Sequence, residues 1–274
     1  MVSLHALQMN SSDCLQDNLQ KVETLISRIP FNQYATDHHL IVLPECFSLF
    51  GCGGTKMLAH AEKPGNGMVQ GRLSILAQET RSFIVAGSSP MLSAQHDKYY
   101  ASSIVYSPDG KQLATYNKMH LFDVEVNDGT HIYRESDFTM HGETVSVVNL
   151  AFGRIGQSIC YDLRFPELYR AMDFPEIIVV PSAFTKVTGQ AHWHALLSAR
   201  AIENQCYVVA ANQYGSHADK RETFGHSCIY SPWGELLSII KSGEGVASSV
   251  LNIHELTKIR QAMPVRSHIR GKYE

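Results

Sequence analysis

Cys160 stands where an apolar run, Arg154-Ile-Gly-Gln-Ser-Ile-Cys160, meets the turn Tyr161-Asp-Leu-Arg-Phe-Pro166 that opens a helix. A thiol at such a junction is lifted out of its sheet and faces backbone N–H groups, so it has both access and dipoles that can hold negative charge. Glu45 ends the run His39-Leu-Ile-Val-Leu-Pro-Glu45, and Lys118 lies in Thr115-Tyr-Asn-Lys-Met-His-Leu-Phe122. Converging, the three would serve a sulfur nucleophile. A free thiol has a pKa of about 8.5, so little of it is thiolate at neutral pH. A carboxyl group behind four apolar residues and a proline is expected to be partly buried, with its pKa raised toward the range of a general base. Lys118 would supply fixed positive charge for the thiolate and then for the oxyanion of a tetrahedral intermediate, with the Tyr161 N–H as a second oxyanion donor. Taken singly, the three also fit plain roles: an inert core cysteine, a capping or ion-paired glutamate, a solvated lysine.

Two versions of one unit position these residues. Phe83-Ile-Val-Ala86 is echoed by Tyr207-Val-Val-Ala210, and at the same offset Ser103-Ile-Val-Tyr-Ser-Pro-Asp-Gly110 is echoed by Ser227-Cys-Ile-Tyr-Ser-Pro-Trp-Gly234. Leu40-Ile-Val-Leu-Pro44 resembles Ile177-Ile-Val-Val-Pro181 at a slightly different offset. Each unit reads as a buried strand ending at Pro, a helix, another buried strand and a hairpin turning at Ser-Pro-x-Gly. Helical periodicity marks 14–27, 69–80 and 191–204. Strand–helix–strand order puts helices outside the sheets, and two such halves pack sheet on sheet. The predicted fold is α/β, a four-layer α-β-β-α sandwich with a pseudo-twofold internal repeat. No Ser/Gly/Pro-rich linker divides the halves, so residues 1–274 are expected to form a single domain.

The composition, 44% apolar and 18% charged, is that of a globular protein, and a net charge of −3 makes no electrostatic case for nucleic acid or an anionic membrane. The N-terminus lacks a basic stretch followed by a long apolar one, and no run approaches the roughly 20 apolar residues of a membrane span. A cytoplasmic protein with neither nucleic-acid nor membrane partners is expected. The six cysteines show no disulfide rhythm; Cys206 and Cys228 read as core residues, and Cys46 and Cys52 lack a second pair for zinc. Among fourteen histidines, His192 and His194 are two apart on a helix and His38 and His39 are adjacent on a strand, so each pair diverges. No metal site is expected.

The segments Leu43-Pro-Glu-Cys-Phe47, Tyr116-Asn-Lys-Met-His-Leu-Phe-Asp123 and Cys160-Tyr-Asp-Leu-Arg-Phe-Pro-Glu167 resemble, in order, the three signature blocks of the nitrilase, or carbon–nitrogen hydrolase, superfamily. The resemblance covers nearly the whole chain and implies the α-β-β-α fold reached above. It also implies a Glu–Lys–Cys site, a thioester intermediate and no cofactor. Assembly into a homodimer or larger homo-oligomer is a further implication. It adds Glu135, in Tyr133-Arg-Glu-Ser136, as a second glutamate that orients the lysine; the residues alone do not reveal it. The run from Gly189 to Ala210 is similar to the amidase branch. Lys220-Arg-Glu-Thr-Phe-Gly-His226 and Pro264-Val-Arg-Ser-His-Ile-Arg270 narrow the resemblance to amidases acting on deaminated glutathione, with ω-amidases of 2-oxo-dicarboxylic acid monoamides such as 2-oxoglutaramate close by.

The implied reaction is release of ammonia from a small carboxylate-bearing amide. Arg164 is the candidate carboxylate receptor, as in related carbamoylases, with an ion pair to Asp162 or Glu167 as the competing reading. Phe184, Thr185 and Thr188 are candidate pocket residues, and the Gly-rich segment 52–66 a candidate lid. Tyr161-Asp162, where nitrile hydrolysers carry Trp-Glu, argues against nitriles. An N-carbamoyl amino acid hydrolase, a papain-like Cys–His hydrolase and a catalytically silent scaffold are the other readings weighed.

Overall fold

In a computed structural model the described residues are 1–33, 36–127 and 132–271. The first half runs β1 (Val2–Gln8), α1 (Leu15–Ser27), β2 (His38–Val42), α2 (Gly53–Ala59), α3 (Met68–Thr80), β3 (Phe83–Val85), β4 (Ser89–Leu92), β5 (Tyr99–Tyr106) and β6 (Gln112–Asn117). A hairpin, β7 (Asp123–Glu125) and β8 (Ile132–Arg134), and the short β9 (Thr139–Met140) lead across. The second half begins with β10 (Val147–Leu150), β11 (Gly153–Gln157), α4 (Pro166–Ala171), β12 (Ile177–Val179), α5 (Lys186–Asn204) and β13 (Tyr207–Ala210). It continues with a hairpin, β14 (Tyr214–Ser216) and β15 (Glu222–Phe224), then β16 (Ser227–Tyr230) and β17 (Leu236–Ile240). Last come β18 (Gly245–Leu251), α6 (Ile253–Ala262) and α7 (Val265–His268).

The internal repeat is visible in the sheets. In one, β1, β2 and β3 are parallel, with β5 and β6 added antiparallel; in the other, β11, β12 and β13 are parallel, with β16 and β17 added antiparallel. An antiparallel strand closes the opposite side of each, β18 against β1 and β10 against β11. The two Ser-Pro-x-Gly hairpins match in detail: Gly110 N–H donates to Ser107 O at 2.8 Å, and Gly234 N–H to Ser231 O at 2.9 Å. Both glycines have positive φ, 78° and 82°, which a side chain would resist. Even the register shift recurs, at Val105/Tyr106 and at Ile229/Tyr230.

Alternation along the strands builds the layers. Leu40, Val42 and Val85 meet Ile177, Val179 and Val209 in the core between the sheets. Ile41 and Ile84 point outward to Val22 and Ile26 of α1 and Leu73 of α3; Ile178 and Val208 point outward to Trp193 and Leu197 of α5. Because both faces of these strands are covered, they read as unbroken apolar runs. Each such aliphatic side chain contributes about 1.5–3 kcal/mol of burial.

Helix α5 starts further upstream than its periodicity suggested. Thr185 is its N-cap, accepting from the Thr188 N–H at 3.3 Å, so the first turn is set by capping rather than by a buried apolar stripe. The run toward Cys160 leaves the ladder at Gln157, and Cys160 itself opens a 3-10 turn, Cys160–Arg164, ahead of α4. Among the described residues no helix is long and apolar enough to cross a membrane.

Candidate active site

Glu45, Lys118 and Cys160 meet just past the ends of β2, β6 and β11. After β2 the chain turns sharply at Cys46 (φ 55°), and Gly87 lies directly beneath. A Cβ on Gly87 would sit 1.9 Å from the Pro44 carbonyl oxygen, so only glycine lets this strand end seat. The Glu45 carboxylate accepts from Lys118 Nζ at 2.8 Å through Oε1 and from the Ala183 N–H at 2.8 Å through Oε2. Lys118 also donates to both oxygens of Glu135, at 2.9 and 2.8 Å. Glu135 opens a 3-10 turn after β8 and is anchored by the Phe122 N–H at 2.7 Å. All three side chains are buried: Lys118 is 2% exposed, Glu45 5% and Cys160 8%.

Burial works against the Lys118 charge, but Glu135, Glu45 and Cys160 together outweigh it and hold the ammonium well above the ordinary lysine range. Burial also pushes the Cys160 thiol well above its ordinary value. The Glu45 charge and a hydrogen bond to Glu45 push the same way, and Lys118 and the Ala183 backbone only partly offset them. Burial raises the Glu135 carboxyl, Lys118 lowers it and Glu45 raises it again, with the net upward. Burial first, and the Glu45 charge second, thus favour the protonated form of the resting sulfur. The Lys118 charge expected to favour the thiolate is shared between two glutamates, so it offsets only part of this upward push.

Cys160 has φ 49°, a left-handed conformation that costs a non-glycine residue about 1–2 kcal/mol. Its N–H is fixed on Pro181 O at 2.8 Å. Asp162, a candidate ion-pair partner for Arg164 on sequence grounds, instead braces this turn. Fully buried, it accepts from the Ile159 N–H at 2.8 Å, the Tyr116 hydroxyl at 2.7 Å, and the His120 N–H and Nδ1 at 3.0 and 2.8 Å. Tyr116 and His120 flank Lys118, so one carboxylate ties the cysteine turn to the lysine turn. Its signal was present in the Tyr-x-Lys-x-His spacing, but nothing local announces so distant a partner. The Tyr161 N–H has no hydrogen-bond partner among the described residues.

These groups open on a cavity of about 320 Å³ whose wall includes Arg164, Phe184, Thr185 and Thr188. Arg164 makes no ion pair with Asp162 or Glu167 among the described residues, which sets that reading aside. Its guanidinium lies 3.3 Å from His192 Nδ1, 5.5 Å from the Phe184 ring centre and 5.8 Å from that of Tyr161. The Thr185 and Thr188 hydroxyls are 2.8 Å apart, engaged with each other at the cap of α5. Segment 52–66 contains α2, with Cys52, Gly53, Gly54 and Met57 on the cavity wall. His192 faces Arg164 whereas His194 bonds Tyr230 and His226 at 2.8 Å each, so the two histidines do diverge.

Residues 4–261 match the carbon–nitrogen hydrolase family, and the chain belongs to it. It is an amide-hydrolysing enzyme. Similar curated relatives include the deaminated glutathione amidase of Synechocystis, 41% identical over 268 residues and 96% of each chain. The deaminated glutathione amidase of Yersinia enterocolitica is 38% identical over 96% of this chain and 91% of its own. Saccharomyces cerevisiae Nit3, a member of branch 10 of the nitrilase superfamily, superposes with a TM-score of 0.83 at 31% identity, covering 96% of this chain and 94% of that one. The Caenorhabditis elegans NitFhit protein gives a TM-score of 0.86 at 33% identity over 98% of this chain, which spans 65% of that longer protein.

Proposed function

We propose that residues 1–274 form one carbon–nitrogen hydrolase domain that cleaves a small carboxylate-bearing amide through a thioester on Cys160. Glu45 takes the thiol proton as sulfur attacks the amide carbon, and the oxyanion forms against Lys118 Nζ and the Tyr161 N–H. The C–N bond then breaks as protonated Glu45 gives its proton to the departing nitrogen. Water attacks the thioester while Glu45 accepts its proton, and that proton returns to sulfur as the acid leaves. Glu135 is a positioning residue, holding Lys118 in place. The observation that carries this reading is the shared Glu45 carboxylate, bonded to Lys118 and to the Ala183 N–H beside a neutral, buried thiol. Since the thiol is protonated at rest, transfer to Glu45 has to accompany attack.

Deaminated glutathione is the favoured substrate, supported by the names of the relatives and by the cation of Arg164 on the cavity wall. Its amides are secondary, so the departing group is a peptide amine; with 2-oxoglutaramate, the second reading, it is ammonia. A cytoplasmic homo-oligomer without nucleic-acid or membrane partners completes the proposal. The test is a turnover panel of deaminated glutathione, 2-oxoglutaramate, a simple aliphatic amide, an N-carbamoyl amino acid and a nitrile, using wild type and Cys160→Ala. Preference for the two oxo-acid amides, abolished in the variant, is expected. Preference for the aliphatic amide or the nitrile would overturn the substrate assignment.

A further inference from the structure

A second guanidinium lies on the cavity wall, on different elements from Arg164. Arg221 stands at the tip of the β14–β15 hairpin, its group 4.5 Å from the centre of the Phe50 ring. Its Nε pairs with Asp219, its N–H donates to Asp219 Oδ1 at 3.1 Å, and its carbonyl accepts from the His217 N–H at 2.9 Å. The Phe50 ring meets His217 edge-on at 4.3 Å. The glutamate loop and the hairpin approach so closely that a Cβ on Gly51 would lie 3.0 Å from the Ala218 nitrogen. The arginine is therefore held on its Nε edge and one face. Its two terminal nitrogens have no partner among the described residues, and that fork matches a carboxylate.

The two arginines serve different sides of the reacting carbon. Arg164 belongs to the turn that Cys160 opens, stacked near Tyr161 and Phe184. Arg221 belongs to the glutamate side. Burial raises the thiol of Cys46, the residue after Glu45, and Arg221 is one of the charges pulling it back. In the proposed reaction the departing nitrogen collects its proton from Glu45, so the amine half of the substrate lies on that side.

We infer that Arg221 is a second carboxylate receptor, holding an acid group on the amine half of the scissile amide, so that the site is built for amides with a carboxylate at each end. This rests on the acyl-transfer reading above and goes beyond it, because it separates peptide-like amides from monoamides that release ammonia.

Three substrates sharing the 2-oxoglutaryl acyl half test it: the primary amide, an amide of cysteinylglycine, and the same peptide amide with its terminal carboxylate converted to a carboxamide. KM and kcat are measured for wild type, Arg221→Gln and Arg134→Gln, the last removing another arginine of the cavity wall. Arg221→Gln is expected to raise KM for the acid-terminated peptide about tenfold or more, the scale of a lost charge-assisted contact, while hardly changing the other two. Where that variant folds poorly, Arg221→Lys gives the same selective difference at smaller size. Equal changes for all three substrates, no change, or the selective loss appearing in Arg134→Gln instead would overturn the inference while leaving the amidase reading intact. Wild type inactive on all three would sink that reading, and the inference with it.

Discussion

Replacing Asp162 by alanine should damage stability and turnover together, because this carboxylate joins the turn of the nucleophile to that of the lysine. Alanine leaves two backbone donors, the Ile159 and His120 N–H groups, without their acceptor, along with the Tyr116 hydroxyl and the His120 ring. The hydroxyl and the ring can rotate toward other partners, but the backbone groups cannot. At about 1–3 kcal/mol for each stranded buried donor, the loss is about 2–6 kcal/mol, partly offset because a buried anion is also removed. For a chain of this size each kcal/mol is worth about 2–4 °C, so Tm should fall by about 5 °C or more. Without the brace, Cys160 can relax from its φ of 49°, and a displacement of the sulfur by about 1 Å costs on the order of 100-fold in kcat. Asp162→Asn, which keeps one acceptor oxygen, should lose about half as much stability. Calorimetry and kcat/KM on the same preparations decide it. An alanine variant within about 1 °C and twofold of wild type would refute the bracing argument.

Glu135→Gln removes one of the two anions holding the Lys118 proton, so the lysine pKa falls and the alkaline limb of the kcat/KM profile should move to lower pH; an unmoved limb would separate Lys118 from that titration. Gly87→Ala forces a methyl group into the Pro44 carbonyl, and should lower kcat sharply in whatever protein folds, readable by kinetics alongside circular dichroism. His5 is buried between Ser248 and His39, and burial, with the nearby His39, lowers its pKa from 6.5 to about 3. The unfolded chain therefore binds the extra proton first, and stability present above about pH 6.5 is lost as pH falls toward 3, by about 2 kcal/mol at pH 5. Denaturant melts of wild type and His5→Gln between pH 4 and 7 should show a flatter acid slope in the variant; parallel slopes would exclude His5 as the cause.

The layers were legible because burial on both faces turns each central strand into an apolar run, and because the Ser-Pro-x-Gly hairpins recur with their glycines. Glu45 and Cys160 were legible as polar groups placed where such runs stop, whereas Lys118 follows a largely exposed strand and stood out through the motif around it. Glu135 was not, since it sits on a short 3-10 turn with no periodic context and entered only through the family resemblance. The Ala183 and Phe122 N–H groups that fix the two glutamates carry no residue-type signal, because any residue supplies a backbone donor. The bracing role of Asp162 was not legible, and it stood only as one alternative ion-pair partner for Arg164, because Tyr116 and His120 come from the other half of the molecule.

The central claim is a covalent acyl group on one particular sulfur. Wild type mixed with excess 2-oxoglutaramate or deaminated glutathione, quenched in acid within the first turnovers and digested, should give the Cys160 peptide heavier by the 2-oxo-acyl group, while the Cys46 and Cys52 peptides stay unmodified. Acyl mass on another residue, or turnover with no adduct at any quench time together with a fully active Cys160→Ala variant, would contradict the account.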